Sequence, residues 1–119
     1  MWEIEYYERP NGRCPVQDFL NDLSVKDELP FVLRKIDLMA EYGYRLKRPH
    51  ADYLRDDIYE LRTKTRSGNI RLLYFFFLRE KIVLTHGFPK KAGKVSDAEI
   101  DKAIEYRKDY YQRNQGAKK

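Results

Sequence analysis

Arg71 stands near the start of the most apolar stretch of the chain, between Ile70 and the run Leu72 to Leu78. A guanidinium at such a place is costly unless it reaches solvent, an acid or an anion. Three outcomes are open. The stem can pack while the head emerges at the strand end. The charge can pair with an acid such as Glu60. Or the planar fork can point into a concave face and make two parallel hydrogen bonds to a phosphate. Arg62 and Lys64 lie two residues apart and share one face of a strand, which continues toward Arg66 at the following turn. If Arg71 lies across that hairpin, three or four cations converge on one sheet face; otherwise they form an ordinary solvated face.

Phe88-Pro89-Lys90-Lys91-Ala92-Gly93-Lys94 places three lysines within five residues at a strand end. Sheets often position functional loops there, although a solvated basic loop is the plainer alternative. His86 shares parity with Ile82, Leu84 and Phe88, which predicts a core-facing imidazole; as a general acid or base it would suit neutral pH. Tyr106, Tyr110 and Tyr111 crowd the last helix, where they either stack on bases or fill the core.

Several chemistries lack their residues. The chain has no glycine-rich phosphate loop, no H-E-x-x-H and no G-x-S-x-G, and no paired carboxylates mark the basic region. A metal-dependent nuclease needs carboxylates for its ion, so no metal and no cofactor is expected. RNA can still be cut. Its own 2′-hydroxyl can attack phosphorus if cations stabilise the added charge and protons are moved.

The elements that would hold these residues follow from periodicity. Trp2 to Tyr7 alternates like a half-buried strand, and Arg9-Pro10-Asn11-Gly12 reads as a turn. Pro15 suits a first helical position, with Val16, Phe19, Leu20 and Leu23 recurring at helical spacing. A second helix is predicted from about Asp27–Pro30 to Tyr42, with Gly43 as its stop. A short strand is possible near Ala51 to Leu54. Ile58 to Lys64 is a strand, Ser67-Gly68-Asn69 a turn, and Ile70 to Leu78 a central strand covered on both faces. After a turn at Arg79-Glu80, Lys81 to Phe88 returns and Pro89 ends it. Ser96-Asp97-Ala98-Glu99 is a capping box opening a last helix. The expectation is an α+β domain: a strand, two helices, a three- to four-stranded antiparallel sheet and a C-terminal helix, with helices on one sheet face.

The 119 residues fit one domain, expected over residues 1–113, with a polar tail over 114–119. The single cysteine, Cys14, can form no internal disulfide, and no Cys/His spacing suggests zinc. No apolar run reaches membrane-spanning length. Met1 to Pro10 carries Glu3, Glu5 and Glu8, unlike a signal peptide, so a reducing cytoplasmic setting is expected. The net charge of +5 is unevenly spread. Residues 1–43 carry a net of −4 and residues 44–94 a net of +8. Such segregation permits a polyanion-binding face with a neutral or acidic reverse side.

Three runs together carry a resemblance: Ile58-Tyr59-Glu60-Leu61-Arg62, then Gly68-Asn69-Ile70-Arg71-Leu72-Leu73-Tyr74, then Leu84-Thr85-His86-Gly87-Phe88-Pro89-Lys90-Lys91. Followed by Glu99-Ile100, Ala103 and Tyr110, the ordered set resembles the RelE/ParE toxin superfamily, most nearly its HigB-like, phage-derived members. It covers about residues 2–112. The resemblance implies the toxin of a type II toxin–antitoxin pair: a ribosome-dependent, metal-independent mRNA endoribonuclease acting by 2′-hydroxyl attack. It further implies that Arg71 contacts the scissile phosphate, that Arg62 matches the "ELR" arginine, and that Lys90 or Lys91 supplies a second cation. Lys64, Arg66 and Lys94 would hold flanking RNA. The implied partners are the ribosome, mRNA and a helix-turn-helix antitoxin of HigA type. RelE-type patterns carry a tyrosine soon after the last strand, whereas no tyrosine occurs here between Tyr74 and Tyr106. That leaves His86 or a lysine for proton transfer. A ParE-like gyrase inhibitor without RNase activity, or a non-catalytic RNA-binding regulator, would share the fold.

Overall fold

The computed structural model describes residues 1–25, 27–66, 68–91 and 93–115. In chain order the elements are β1 (Glu3–Tyr6), α1 (Pro15–Val25), α2 (Leu29–Tyr42), a 3₁₀ turn (Gly43–Arg45), β2 (Ala51–Arg55), β3 (Ile58–Thr65), β4 (Gly68–Phe77), β5 (Lys81–Lys90) and α3 (Asp97–Arg113). The α+β class and element order agree with the sequence expectation. The sheet is larger: five strands in the order β1-β5-β4-β3-β2. It is mixed, because β1 pairs parallel with β5, Glu3 opposite Lys81 through Tyr6 opposite Leu84. Pairing across that many residues leaves no local mark, so the antiparallel expectation fails at this edge.

Helices cover both faces rather than one. Leu72, Tyr74, Ile82 and Leu84 pack with Val16 and Leu20 of α1 and Val32, Ile36 and Met39 of α2. Leu73, Phe75, Phe77 and Val83 pack with Ile100, Ala103 and Tyr110 of α3. Central β4 thus alternates between two cores, which explains its nearly continuous apolar sequence.

Most element ends lie where the residues place them. Pro30 sits in the first turn of α2. Gly43 ends that helix with φ +53°, and a Cβ there would lie 1.9 Å from the Trp2 indole nitrogen. Ser96 caps α3, accepting from the Glu99 amide. The reverse half of the box takes another course, since the Glu99 carboxylate goes to His86.

Three expectations need correction. Gly68 and Asn69 belong to β4, with Gly68 opposite Thr65, so the β3–β4 turn is tighter than expected; Ser67 lies outside the described residues. β5 runs through Pro89 to Lys90. β1 pairs with β5 only as far as Leu84, beyond which β5 is an edge strand that tolerates proline. Asn114 is the C-cap of α3 rather than loose tail, its side chain donating to the Tyr110 carbonyl at 2.8 Å; residues 116–119 lie outside the described residues.

A bulge matters most for the site. Leu73 faces His86 while Tyr74 faces Leu84, so Thr85 is the extra residue in β5. Parity reverses there. His86 and Phe88 turn to the α3 face, and Gly87 turns to the α1 side, where a Cβ would meet Leu72 at 2.3 Å and Phe19 at 2.6 Å.

Candidate functional site

Three adjacent strands bring cations together on the α3 face. Arg62 and Arg71 are directly opposite in the β3–β4 register, and Arg71 in turn faces Phe88 of β5. Lys90 ends β5 opposite Asn69, and Lys94 follows in the loop to α3. A cavity of about 410 Å³ opens among these strand ends, β2 and the start of α3. Arg62, Arg71, Lys90 and Lys94 all line it, with Arg48, Arg55, Asp52, Glu60 and Asp97.

The other sequence candidates stand apart from that lining. Lys91 is exposed just past β5, and Arg66 is exposed at the β3–β4 turn. Lys64 shares a separate hollow with Phe31, Arg34 and Lys35 of α2. His86 is 5% exposed beneath α3. The parity argument that aligned it with Ile82 and Leu84 fails at the Thr85 bulge, yet the residue is still buried, now in the opposite core.

Arg71 takes the second of its three possible outcomes. Its Nε lies 2.8 Å from Glu60 Oε1, with both side chains under a tenth exposed. The distance makes an ion pair, but the N–H points off the oxygen, so neither atom has a hydrogen-bond partner. Nη1 donates to the Ile70 carbonyl at 3.3 Å. A buried ion pair that lacks hydrogen bonds is weakly compensated for its lost hydration. Arg71 nevertheless lines the cavity, so pairing with Glu60 and a place on the cavity wall coexist.

Other lining charges are also neutralised locally. Arg48 bonds Asp52 through Nε at 2.9 Å and Nη2 at 2.7 Å. That bond holds the Asp52 carboxyl below its ordinary range, against the opposing effect of burial. Arg55 bridges Asp56, Asp97 and Asp101, tying the end of β2 to the first turn of α3. Arg62 has no ion-pair partner among the described residues. The Lys90 ammonium donates to the Gly93 carbonyl, folding the loop back over the strand end.

His86 is held on both sides. Nε2 lies 3.0 Å from Glu99 Oε1 and Nδ1 lies 3.0 Å from Thr85 Oγ1. Burial lowers its pKa more than the Glu99 carboxylate raises it, so the ring is neutral at neutral pH. The hydrogen then belongs on Nε2, donated to Glu99. The Thr85 hydroxyl shares its one hydrogen between Nδ1 and the Leu73 carbonyl.

Helix α3 forms one wall and is fixed at its far end. The Tyr7 hydroxyl donates to Asp109 at 2.7 Å and the Tyr110 hydroxyl to Glu5 at 2.8 Å. Burial, then the Asp109 bond, pushes the Tyr7 phenol up to about 12. The α3 tyrosines are therefore core and anchor residues.

Sequence reasoning missed Arg48, Asp52, Arg55 and Asp97 as lining residues. Glu60 was visible only as a possible partner of Arg71. The basic run Arg45-Leu46-Lys47-Arg48 was the available signal, but nothing local shows that β2 folds back beside β3. Among the described residues, no group of three or more His, Cys, Asp or Glu is placed to hold a metal ion, and no helix is long and apolar enough to cross a membrane.

Comparison with curated proteins gives no match. The family model for phage derived protein Gp49-like (DUF891) matches residues 18–108, which include every residue lining the cavity. That family lies within the RelE/ParE-like superfamily of toxin–antitoxin toxins. With well over half of its length matched, the chain belongs to the phage-derived Gp49-like family of that superfamily.

Proposed function

We propose that the protein is a HigB-like toxin that cuts translated mRNA at the ribosome by 2′-hydroxyl attack, in need of no metal, and that a HigA-like helix-turn-helix antitoxin neutralises it. One observation carries this proposal: Arg62 and Arg71 face each other across a hairpin on a cavity that Lys90 and Lys94 also border. Like charges placed directly opposite are unfavourable in a sheet, so the arrangement wants an anion between them.

In the proposed reaction Arg62 and Arg71 hold the scissile phosphate and stabilise the added negative charge. The phosphate draws the Arg71 fork away from Glu60. The released Glu60 carboxylate takes the proton of the 2′-hydroxyl as the O2′–P bond forms. The P–O5′ bond breaks, and the departing oxygen takes a proton from Lys90. The products are a 2′,3′-cyclic phosphate and a 5′-hydroxyl end. Glu60 replaces His86 as proton acceptor here, because His86 is buried beneath α3 and committed to Glu99. Lys94 supports flanking phosphates. Lys91, Lys64 and Arg66 stand outside the cavity and hold nucleic acid beyond it.

Induced expression followed by primer extension on a translated message tests the proposal. Wild type arrests growth and leaves discrete cleavage ends, while Arg62→Ala does neither. Arg62 is the cleaner probe, since Arg71→Ala would leave Glu60 buried and unpaired. A folded Arg62→Ala protein that still cuts would overturn the assignment. Wild type that blocks supercoiling without cleavage would establish the ParE-like alternative. Salt-dependent RNA binding without toxicity would establish the regulator.

A further inference from the structure

Beside the cationic cavity lies a second groove, of about 450 Å³, on the other side of edge strand β2. Tyr44, Leu46, Lys47, Tyr53 and Tyr59 line it, and it shares Arg48, Asp52 and Tyr53 with the cavity. The two hollows thus share a rim at the sheet edge. Alternation along β2 explains the change in character. Asp52 is paired with Glu60 toward the cavity, and the next pair, Tyr53 with Tyr59, belongs to the opposite face.

Tyr44 and Tyr53 are the most exposed aromatic rings among the described residues, at 57% and 50%. Both are nonetheless fixed. The Tyr53 ring meets Tyr59 edge-on at 5.2 Å, and its hydroxyl accepts from the Asp57 amide at 3.1 Å. Tyr44 stacks on Phe76 at 3.9 Å, and Trp2 meets it edge-on at 5.0 Å. Rings held this way lose little freedom when a flat partner arrives. Exposed, rigid aromatic faces flanked by Lys47 and Arg48 are the chemistry of unpaired-base recognition. The ring takes the base and the cations take the neighbouring phosphates.

We infer that this groove is a stacking subsite for an unpaired RNA base adjoining the phosphate held in the cavity, an inference that rests on the cavity being a phosphate site. The chain continues from Arg62 and Arg71 past the Arg48–Asp52 rim to Tyr53 and Tyr44. The subsite adds affinity through a base face and is tolerant of base identity, because every base has one.

The test uses the full-length protein and a short 2′-O-methyl RNA, which has no attacking hydroxyl. Binding is followed by the fluorescence of Trp2, the one tryptophan of the chain, beside Tyr44. An abasic strand of the same length is the control, at fixed salt. The expected result is that the base-bearing strand changes Trp2 emission and binds about tenfold tighter than the abasic one. Tyr53→Ala is expected to remove that difference and Tyr53→Phe to keep it, while Arg62→Ala weakens both strands alike. Equal binding of the two strands, or base-dependent binding unchanged in Tyr53→Ala, overturns the subsite and leaves the cavity's role standing. If neither strand binds wild type even at millimolar RNA and low salt, both readings fall. If Tyr53→Ala leaves RNA binding untouched but weakens capture of the antitoxin, the groove is a protein surface and the inference is wrong.

Discussion

Replacing Glu60 by leucine would leave the Arg71 guanidinium buried with its ion-pair partner gone. Both side chains are under a tenth exposed and their charged atoms are 2.8 Å apart, so water from the cavity would replace only a small part of the lost carboxylate. Removing one member of such a pair costs about 3–5 kcal/mol. Domains of this size have a total stability on the order of 6–18 kcal/mol, so the loss is a large share. The pair itself is not well satisfied, because Arg71 Nε and Glu60 Oε1 lack hydrogen bonds despite their closeness. Replacing both members by apolar residues, Glu60→Leu with Arg71→Met, is therefore expected to recover most of the loss. Urea unfolding of wild type, both single variants and the double variant completes the cycle. With a slope of about 2 kcal/mol per molar urea, each single variant unfolds about 1.5–2.5 M earlier. A Glu60→Leu midpoint within about 0.5 M of wild type, or a double variant no more stable than the worse single one, would refute the reasoning. Glu60→Gln separates stability from chemistry. It keeps the shape, leaves Arg71 less tightly held, and is expected to bind non-cleavable RNA more tightly while cutting about 10²-fold or more slowly.

Arg62→Ala is expected to cut RNA about 10²-fold more slowly, as for other lost transition-state contacts, yet to be as stable as wild type or up to about 1 kcal/mol more so. Urea midpoints and primer extension on the same preparations check both halves, and lower stability with intact cleavage would contradict the role. Gly87→Ala is expected to cost about 1–3 kcal/mol, because the new methyl meets Leu72 and Phe19 below 3 Å; a thermal midpoint equal to wild type would refute the packing account. For His86, burial sets a folded pKa below the ordinary 6.5. Below that pH the unfolded chain binds a proton that the folded chain resists, so this contribution is present above about pH 6.5 and is lost as pH falls toward the folded value. Urea unfolding at pH 7.5 and 5.5 should therefore show a larger acid loss for wild type than for His86→Asn, and equal losses would count against it.

Much of the fold was legible because its signals are local. Pro15, Pro30, Gly43 and Ser96 mark helix ends, and each structural boundary lies at or beside them. The run Ile70 to Leu78 announced a strand covered on both sides, and its apolar residues do alternate between two cores as far as Phe77, with Leu78 exposed beyond the strand end. What was not legible depends on partners distant in sequence. Nothing in Trp2 to Tyr7 says that this strand runs parallel to β5. Nothing in Thr85 says that it is the bulge, though this one residue decides which core receives His86. The site shows the same division. Period-two spacing placed Arg62 and Lys64 on one face, yet Arg62 lines the cavity while Lys64, nearer the end of β3, lines a separate hollow with Phe31, Arg34 and Lys35 of α2. Lys90 and Lys91 were indistinguishable as neighbours in a basic run. Only the end of β5 separates them, with Lys90 in the lining and Lys91 beyond it.

The carboxylates bear on how such a site would work. Arg48 is paired with Asp52, Arg71 with Glu60, and Arg55 with three acids, so at least three of the six lining cations meet an acid before any anion arrives. Without those acids, mutual repulsion would strain the strand ends in the empty protein. With them, an incoming phosphate must compete with Glu60 for the Arg71 fork and gains only the difference. If the cavity acts as proposed, free RNA in solution binds weakly, and productive binding needs energy from elsewhere: the stacking groove around the β2 edge and, in the cell, the ribosome holding the message in place. In the proposed reaction the same competition would supply the chemistry: the phosphate that displaces Glu60 from Arg71 would free a carboxylate beside the cavity, so that substrate binding itself would release the proton acceptor.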